Sequence, residues 1–90
     1  MGELVPLDRD TRPLSRPIVV LRNGQETSIR TIARAAEFLT SDLRSLAATI
    51  DWQLAVNALS VAHEDYTEPH IELATHLVEQ VYRHATGRQR

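Results

Sequence analysis

The chain has no cysteine, so no disulfide can staple it and no thiolate can bind a metal. It has no lysine either, and all ten basic residues are arginine. The arginines are scattered rather than clustered, so this bias reads as GC-rich coding in a bacterial genome and not as a polyanion-binding surface. Glycine occurs only at Gly2, Gly24 and Gly87, which leaves no glycine-rich loop to cradle a phosphate. One Trp, two Tyr and one Phe are the only aromatics, and none falls where a strand is expected, so a base-stacking sheet is not indicated. The N-terminus shows no apolar run of signal-peptide length, and no segment approaches the roughly 18 apolar residues of a membrane span. A soluble, cytoplasmic protein is the expectation. The formal net charge of −2 is too small to steer the chain towards polyanions or away from them.

At 90 residues the chain is one domain, close to the size at which a single core only just suffices. With no staple, either the packing is good or a second copy contributes. A homodimer is therefore expected, built from an α+β domain in which a β-hairpin precedes three helices.

Residues 1–16 carry Pro6, Pro13 and alternating acids and arginines without an apolar period, and read as a flexible N-terminal tail. The domain is expected over residues 17–86, with 87–90 as a C-terminal tail. From Pro17 two short strands flank Asn23-Gly24, the residue pair that supplies the positive φ angles of a type I′ turn. A two-residue loop sets the register, pairing Ile18 with Ile29, Val19 with Ser28, Val20 with Thr27, Leu21 with Glu26 and Arg22 with Gln25. Ile18, Val20, Thr27 and Ile29 then face the helices. Val19 and Leu21 face outward, which makes them the candidate interface by strand addition or face-to-face packing.

Thr31 is placed to cap a first helix whose stripe is Ile32, Ala35, Ala36, Leu39, Leu43 and Leu46, with Phe38 on its flank. The stretch Asp51 to His63 is apolar over most of its circumference and predicts a central helix enclosed on several sides, with Thr49 or Asp51 as its cap. Thr67 and Pro69 open a last helix running towards Gly87.

Chemistry has few candidates. The connector from Glu64 to Glu72, with His63, His70 and His76, gathers imidazoles and carboxylates, and Glu72, His76 and Glu79 share a helical face, but no spacing matches a known metal motif. His63 lies near the Trp52, Val56 and Leu59 side of its helix, where it could serve as a general base in acid–base or metal-assisted chemistry. No nucleophile has a place beside it. No catalytic, cofactor-binding or metal residue is assigned, and nucleic-acid binding is disfavoured because Arg34 and Arg44 share their face with Glu37.

Four features carry a family resemblance: Pro17-Ile18-Val19-Val20 opening a hairpin, Ile29 to Leu39 entering the first helix, Ala55 to Leu59 ending in Ala-Leu, and a long final helix. Over roughly Pro17 to Ala85 the chain resembles the bacterial (rhizobial) domain of unknown function 982 family. The resemblance implies a fold and no activity, because that family has no assigned catalytic residues. The functional expectation is a protein–protein interaction or accessory module acting as a homodimer, with an enzyme using His63 and the 64–72 connector, or a nucleic-acid-binding protein, as the alternatives.

Overall fold

The turn that the sequence marks most strongly sets the first two elements. In the computed structural model, which describes residues 7–87, Asn23 and Gly24 have φ of 55° and 81°. They join strand β1 (Pro13–Arg22) to the antiparallel strand β2 (Gln25–Thr31) in the expected register, from Ile18 opposite Ile29 to Arg22 opposite Gln25. Ile18, Val20 and Ile29 are buried, while Val19 and Leu21 turn outward and are 56% and 61% exposed. A Cβ on Gly24 would meet nothing within 4 Å. Gly24→Ala therefore suffers only from its left-handed backbone, and chemical denaturation is expected to show a loss of about 1 kcal/mol at unchanged m-value.

Three helices follow the hairpin: α1 (Ile32–Glu37), α2 (Ile50–Glu64) and α3 (Glu68–Gly87), giving a small α+β domain. Two expected caps are formed. Thr31 Oγ1 accepts from the Arg34 amide at 3.1 Å, and Thr49 Oγ1 accepts from the Trp52 amide at 3.3 Å.

The fold begins earlier than Pro17. Leu7–Arg9 form a 3₁₀ turn, β1 starts at Pro13, and Asp10 and Leu14 are buried. The segment is held because it feeds the start of α1: the Ile32 amide donates to Arg12 O at 3.0 Å and the Ala33 amide to Asp10 O at 2.7 Å, satisfying two donors that a helix start leaves orphaned. The expected tail thus extends into ordered structure from residue 7, and residues 1–6 and 88–90 lie outside the described residues.

The first helix is also shorter than its apolar stripe. After Glu37 the backbone widens into a π-helical turn (Phe38–Asp42) and then a 3₁₀ turn (Arg44–Leu46). Thr40 Oγ1 donates to Ala36 O at 2.9 Å, a back-bond that competes with the regular helical ladder. The wider turn shifts the phase of the residues after it, starting at Leu43, whose amide donates back to Phe38 O at 3.0 Å. Phe38 itself is still placed by the regular helix, its amide donating to Arg34 O, and lies in the core at 2% exposure instead of on a flank because Tyr82 of α3 packs against it.

The largest departure concerns α2. It is not enclosed: Ile50, Leu54 and Val61 are 72%, 48% and 39% exposed. Its buried seam is Ala55, Ala58, Leu59 and Ala62, and that seam packs chiefly on α3 through Ile71, Ala74, Val78 and Val81. Alanines at the contact let the two helices approach closely, so the small side chains turn inward and the larger aliphatics are left outside. The helix with neighbours on both sides is α3, which meets α2 on one flank and β1 on the other. Trp52 is half-buried, its indole N–H donating to Leu39 O at 2.8 Å.

Side chains of α3 close one edge of the hairpin. Thr75 Oγ1 accepts from the Ser15 amide at 3.1 Å and Tyr82 Oη from the Leu21 amide at 2.9 Å, while Arg16 donates to Glu72 and Glu79.

Candidate functional site

Two constellations stand out, one polar and one apolar. The polar one forms where the N-terminal segment crosses the end of α2. Asp10 Oδ1 accepts from the Arg12 amide at 3.1 Å and from Arg12 Nε at 2.9 Å, and Oδ2 accepts from Arg12 Nη2 at 2.7 Å. His63 Nδ1 lies 2.7 Å from the same Oδ2, so with its proton on Nδ1 the imidazole donates there. Arg12 Nη2 also donates to His63 O at 2.7 Å, and its guanidinium stacks 4.4 Å above the Tyr66 ring. Tyr66 in turn donates to Pro13 O at 2.6 Å. The Arg12 side chain holds the Asp10 carboxyl well below the usual carboxylate range against the opposing effect of burial, and His63 and the Arg12 amide add to it.

A carboxylate behind an imidazole is how many enzymes orient a general base. Here the arrangement is a clasp. Every acceptor direction of Asp10 is used within the chain, Arg12 is committed to Asp10 and to the end of α2, and His63 lines none of the three best-formed clefts among the described residues. Among the described residues the imidazole's one hydrogen-bond partner is the Asp10 carboxylate, and no nucleophile is bonded to it.

The remaining expected donors do not converge. His70 Nδ1 lies 2.9 Å from Asp65 O and 3.0 Å from Thr67 Oγ1, folded back on the connector. Glu72 and Glu79 are drawn to Arg16, and His76 is exposed beside them. Among the described residues no group of three or more His, Asp or Glu side chains is placed to hold a metal. Four arginines, Arg12, Arg16, Arg22 and Arg34, are paired with carboxylates, which breaks up the basic surface that a polyanion would need.

The apolar constellation lies between α2 and α3. Leu54, Ala58 and Val61 from α2 and Leu73 and Leu77 from α3 border a shallow groove of about 140 Å³, with Asn57 and His70 as its polar rim. Leu73 is 50% exposed, and with Ile50, Leu54 and Val61 it makes this the richest exposed aliphatic surface among the described residues. Val19 and Leu21 form a smaller one on the hairpin. Leu21 also borders an open cleft of about 410 Å³ with Phe38, Leu43 and Tyr82, but Arg22 and Asp42 on its wall neutralise each other through contacts of 2.7 and 3.0 Å.

Periodicity missed both main features. The reading of Asp51 to His63 as apolar nearly all round, and so enclosed, found the apolar residues but not that Leu54 and Val61 face outward, and the Asp10–Arg12 pair looked like a solvated tail. A signal was present: an imidazole at the C-terminal end of a helix, where a counter-charge is wanted, and an Asp-x-Arg step with strand spacing. No protein-family model, curated protein or solved structure matches this chain, so a functional reading rests on its own residues.

Proposed function

We propose that this is a small accessory module that acts by protein contact, with the groove between α2 and α3 receiving an amphipathic helix of a partner protein. The observation that carries the reading is the exposure of Ile50, Leu54, Val61 and Leu73 on one contiguous face of two well-packed helices. Exposed apolar surface of this kind, rimmed by polar groups such as Asn57 and His70, is what protein-binding sites offer. A groove of about 140 Å³ falls short of the roughly 300–1,000 Å³ typical of small-molecule sites, and suits a single anchoring side chain. No described helix is long and apolar enough to cross a membrane, so a lipid span does not account for the exposed face. We place the module in the cytoplasm of a bacterium.

The double substitution Leu54→Glu with Val61→Glu tests the reading. Both side chains are at least 39% exposed, so melting temperature is expected to stay within a few degrees while binding of the hydrophobic dye ANS drops by more than half. Partner capture from the source organism's extract is expected to fall at least tenfold. Unchanged capture by the folded variant would rule the groove out.

A further inference from the structure

The two edges of the hairpin are treated differently. On the β1 side, α3 supplies hydroxyl acceptors to the Ser15 and Leu21 amides, and Pro13 and Pro17 have no amide to offer. On the β2 side nothing comparable exists among the described residues. With Arg22 opposite Gln25 across a two-residue turn, the Glu26, Ser28 and Arg30 backbones point away from β1, and none of their amides has a partner. The strand has no proline and no lysine, the bulge of this hairpin lies on β1 instead, and its only guards against pairing are the charges of Glu26 and Arg30.

Its charges are arranged to attract a copy of itself. Glu26 and Arg30 stand two residues either side of Ser28, on one face, both exposed and neither in an ion pair among the described residues. We infer that the outer edge of β2 pairs antiparallel with the same edge of a second copy about a two-fold axis at Ser28, setting Glu26 of each protomer against Arg30 of the other. The backbone groups of residues 26, 28 and 30 then exchange hydrogen bonds as in any antiparallel ladder, and Thr27 faces Ile29 of the second copy on the helix side. A parallel or shifted pairing would lose both cross-strand ion pairs, so the charges specify orientation and register together.

The result is a continuous four-stranded sheet with all helices on one face. Val19 and Leu21 of both copies lie on the other. The contact spans about 17 Å of strand and is small, which puts the dimer at micromolar affinity or weaker. It is independent of the α2–α3 groove, which remains open to a partner in the dimer.

The test uses the full chain and charge exchange. Sedimentation equilibrium from about 10 to 500 µM is expected to show a monomer–dimer equilibrium, weakened roughly tenfold in Glu26→Arg alone or Arg30→Glu alone, where like charges face each other twice. Mixing these two single variants is expected to restore dimer, because each then supplies the charge the other lacks. The Leu54→Glu, Val61→Glu variant is expected to dimerise as the unsubstituted chain does. In parallel, hydrogen exchange of the Glu26, Ser28 and Arg30 amides is expected to slow as concentration rises. A monomer at every concentration, single variants that dimerise undiminished, or a mixture no tighter than either variant alone would each overturn the inference. Loss of dimer in the groove variant would overturn it as well, by moving the contact to the helices.

Discussion

Asp10→Ala is expected to destabilise the fold by about 3 kcal/mol, a large share of what holds so short a chain together. The carboxylate is 4% exposed and is the common acceptor for the Arg12 amide, the Arg12 guanidinium and His63. Its removal leaves donors from two distant segments facing each other with no anion between them. For a chain of this length the loss corresponds to a fall in Tm of roughly 12–24 °C. Asp10→Asn is the sharper control, because it keeps the shape and puts a neutral, partly donating amide where an anion stood; a similar loss is expected.

The same carboxylate makes a pH signature. Its pKa in the folded chain is lowered from the ordinary value, so the folded state holds fewer protons than the unfolded one in acid. The stabilisation is therefore complete above the unfolded value of about 4 and drains away as pH falls below it. Between about pH 4 and pH 2 the unsubstituted chain is expected to lose stability faster than Asp10→Asn, by up to about 1.4 kcal/mol per pH unit. Urea titrations at stepped pH measure this directly. Parallel slopes for the two proteins, or a loss under about 1 kcal/mol at pH 7, would show that the clasp contributes little.

Phe38→Ala is expected to have the largest effect of any single truncation, about 3–5 kcal/mol. Phe38 is 2% exposed, and its ring meets Tyr82 at 5.8 Å and 53°. Tyr82 is the acceptor for the Leu21 amide, so truncating Phe38 also loosens the seal between α3 and β1. Beyond the fall in midpoint, exchange of the Leu21 amide is expected to quicken out of proportion to global unfolding. Phe38→Leu restores most of the volume and is expected to recover more than half of the loss. A Phe38→Ala protein within about 1 kcal/mol of the parent would mean that the π-helical turn relaxes to close the cavity.

The elements legible in the sequence are those decided within a few residues. Asn23-Gly24 forces its turn by backbone sterics, the turn counts out the register, and Thr31 and Thr49 cap their helices by accepting from amides three residues ahead. The illegible parts depend on partners far along the chain. Asp10 and His63 are 53 residues apart, so the buried acid could not be told from a solvated one. Which half of α2 faces in depends on how closely its alanines approach α3, a property of the pair of helices. Phe38 is in the core because Tyr82, far along the chain on α3, covers its side of the helix, and a 3.6-residue period cannot anticipate that. Val19 and Leu21 were found outward-facing as the register required, yet the larger aliphatic surface lay on the helix expected to be enclosed.

The way α3 seals β1 also bears on how the chain is made. Ser15 and Leu21 leave the ribosome first, but the hydroxyls that take up their amides belong to residues 60 and 61 positions later. At translation speeds of roughly 5–20 residues per second, that strand waits on the order of 3–12 s with bare amides on its outer side. During that interval a nascent hairpin is sticky along both flanks, and neighbouring chains on one messenger could trap each other there. Slowing elongation before Thr75 is expected to lower the soluble yield, and speeding it to raise it.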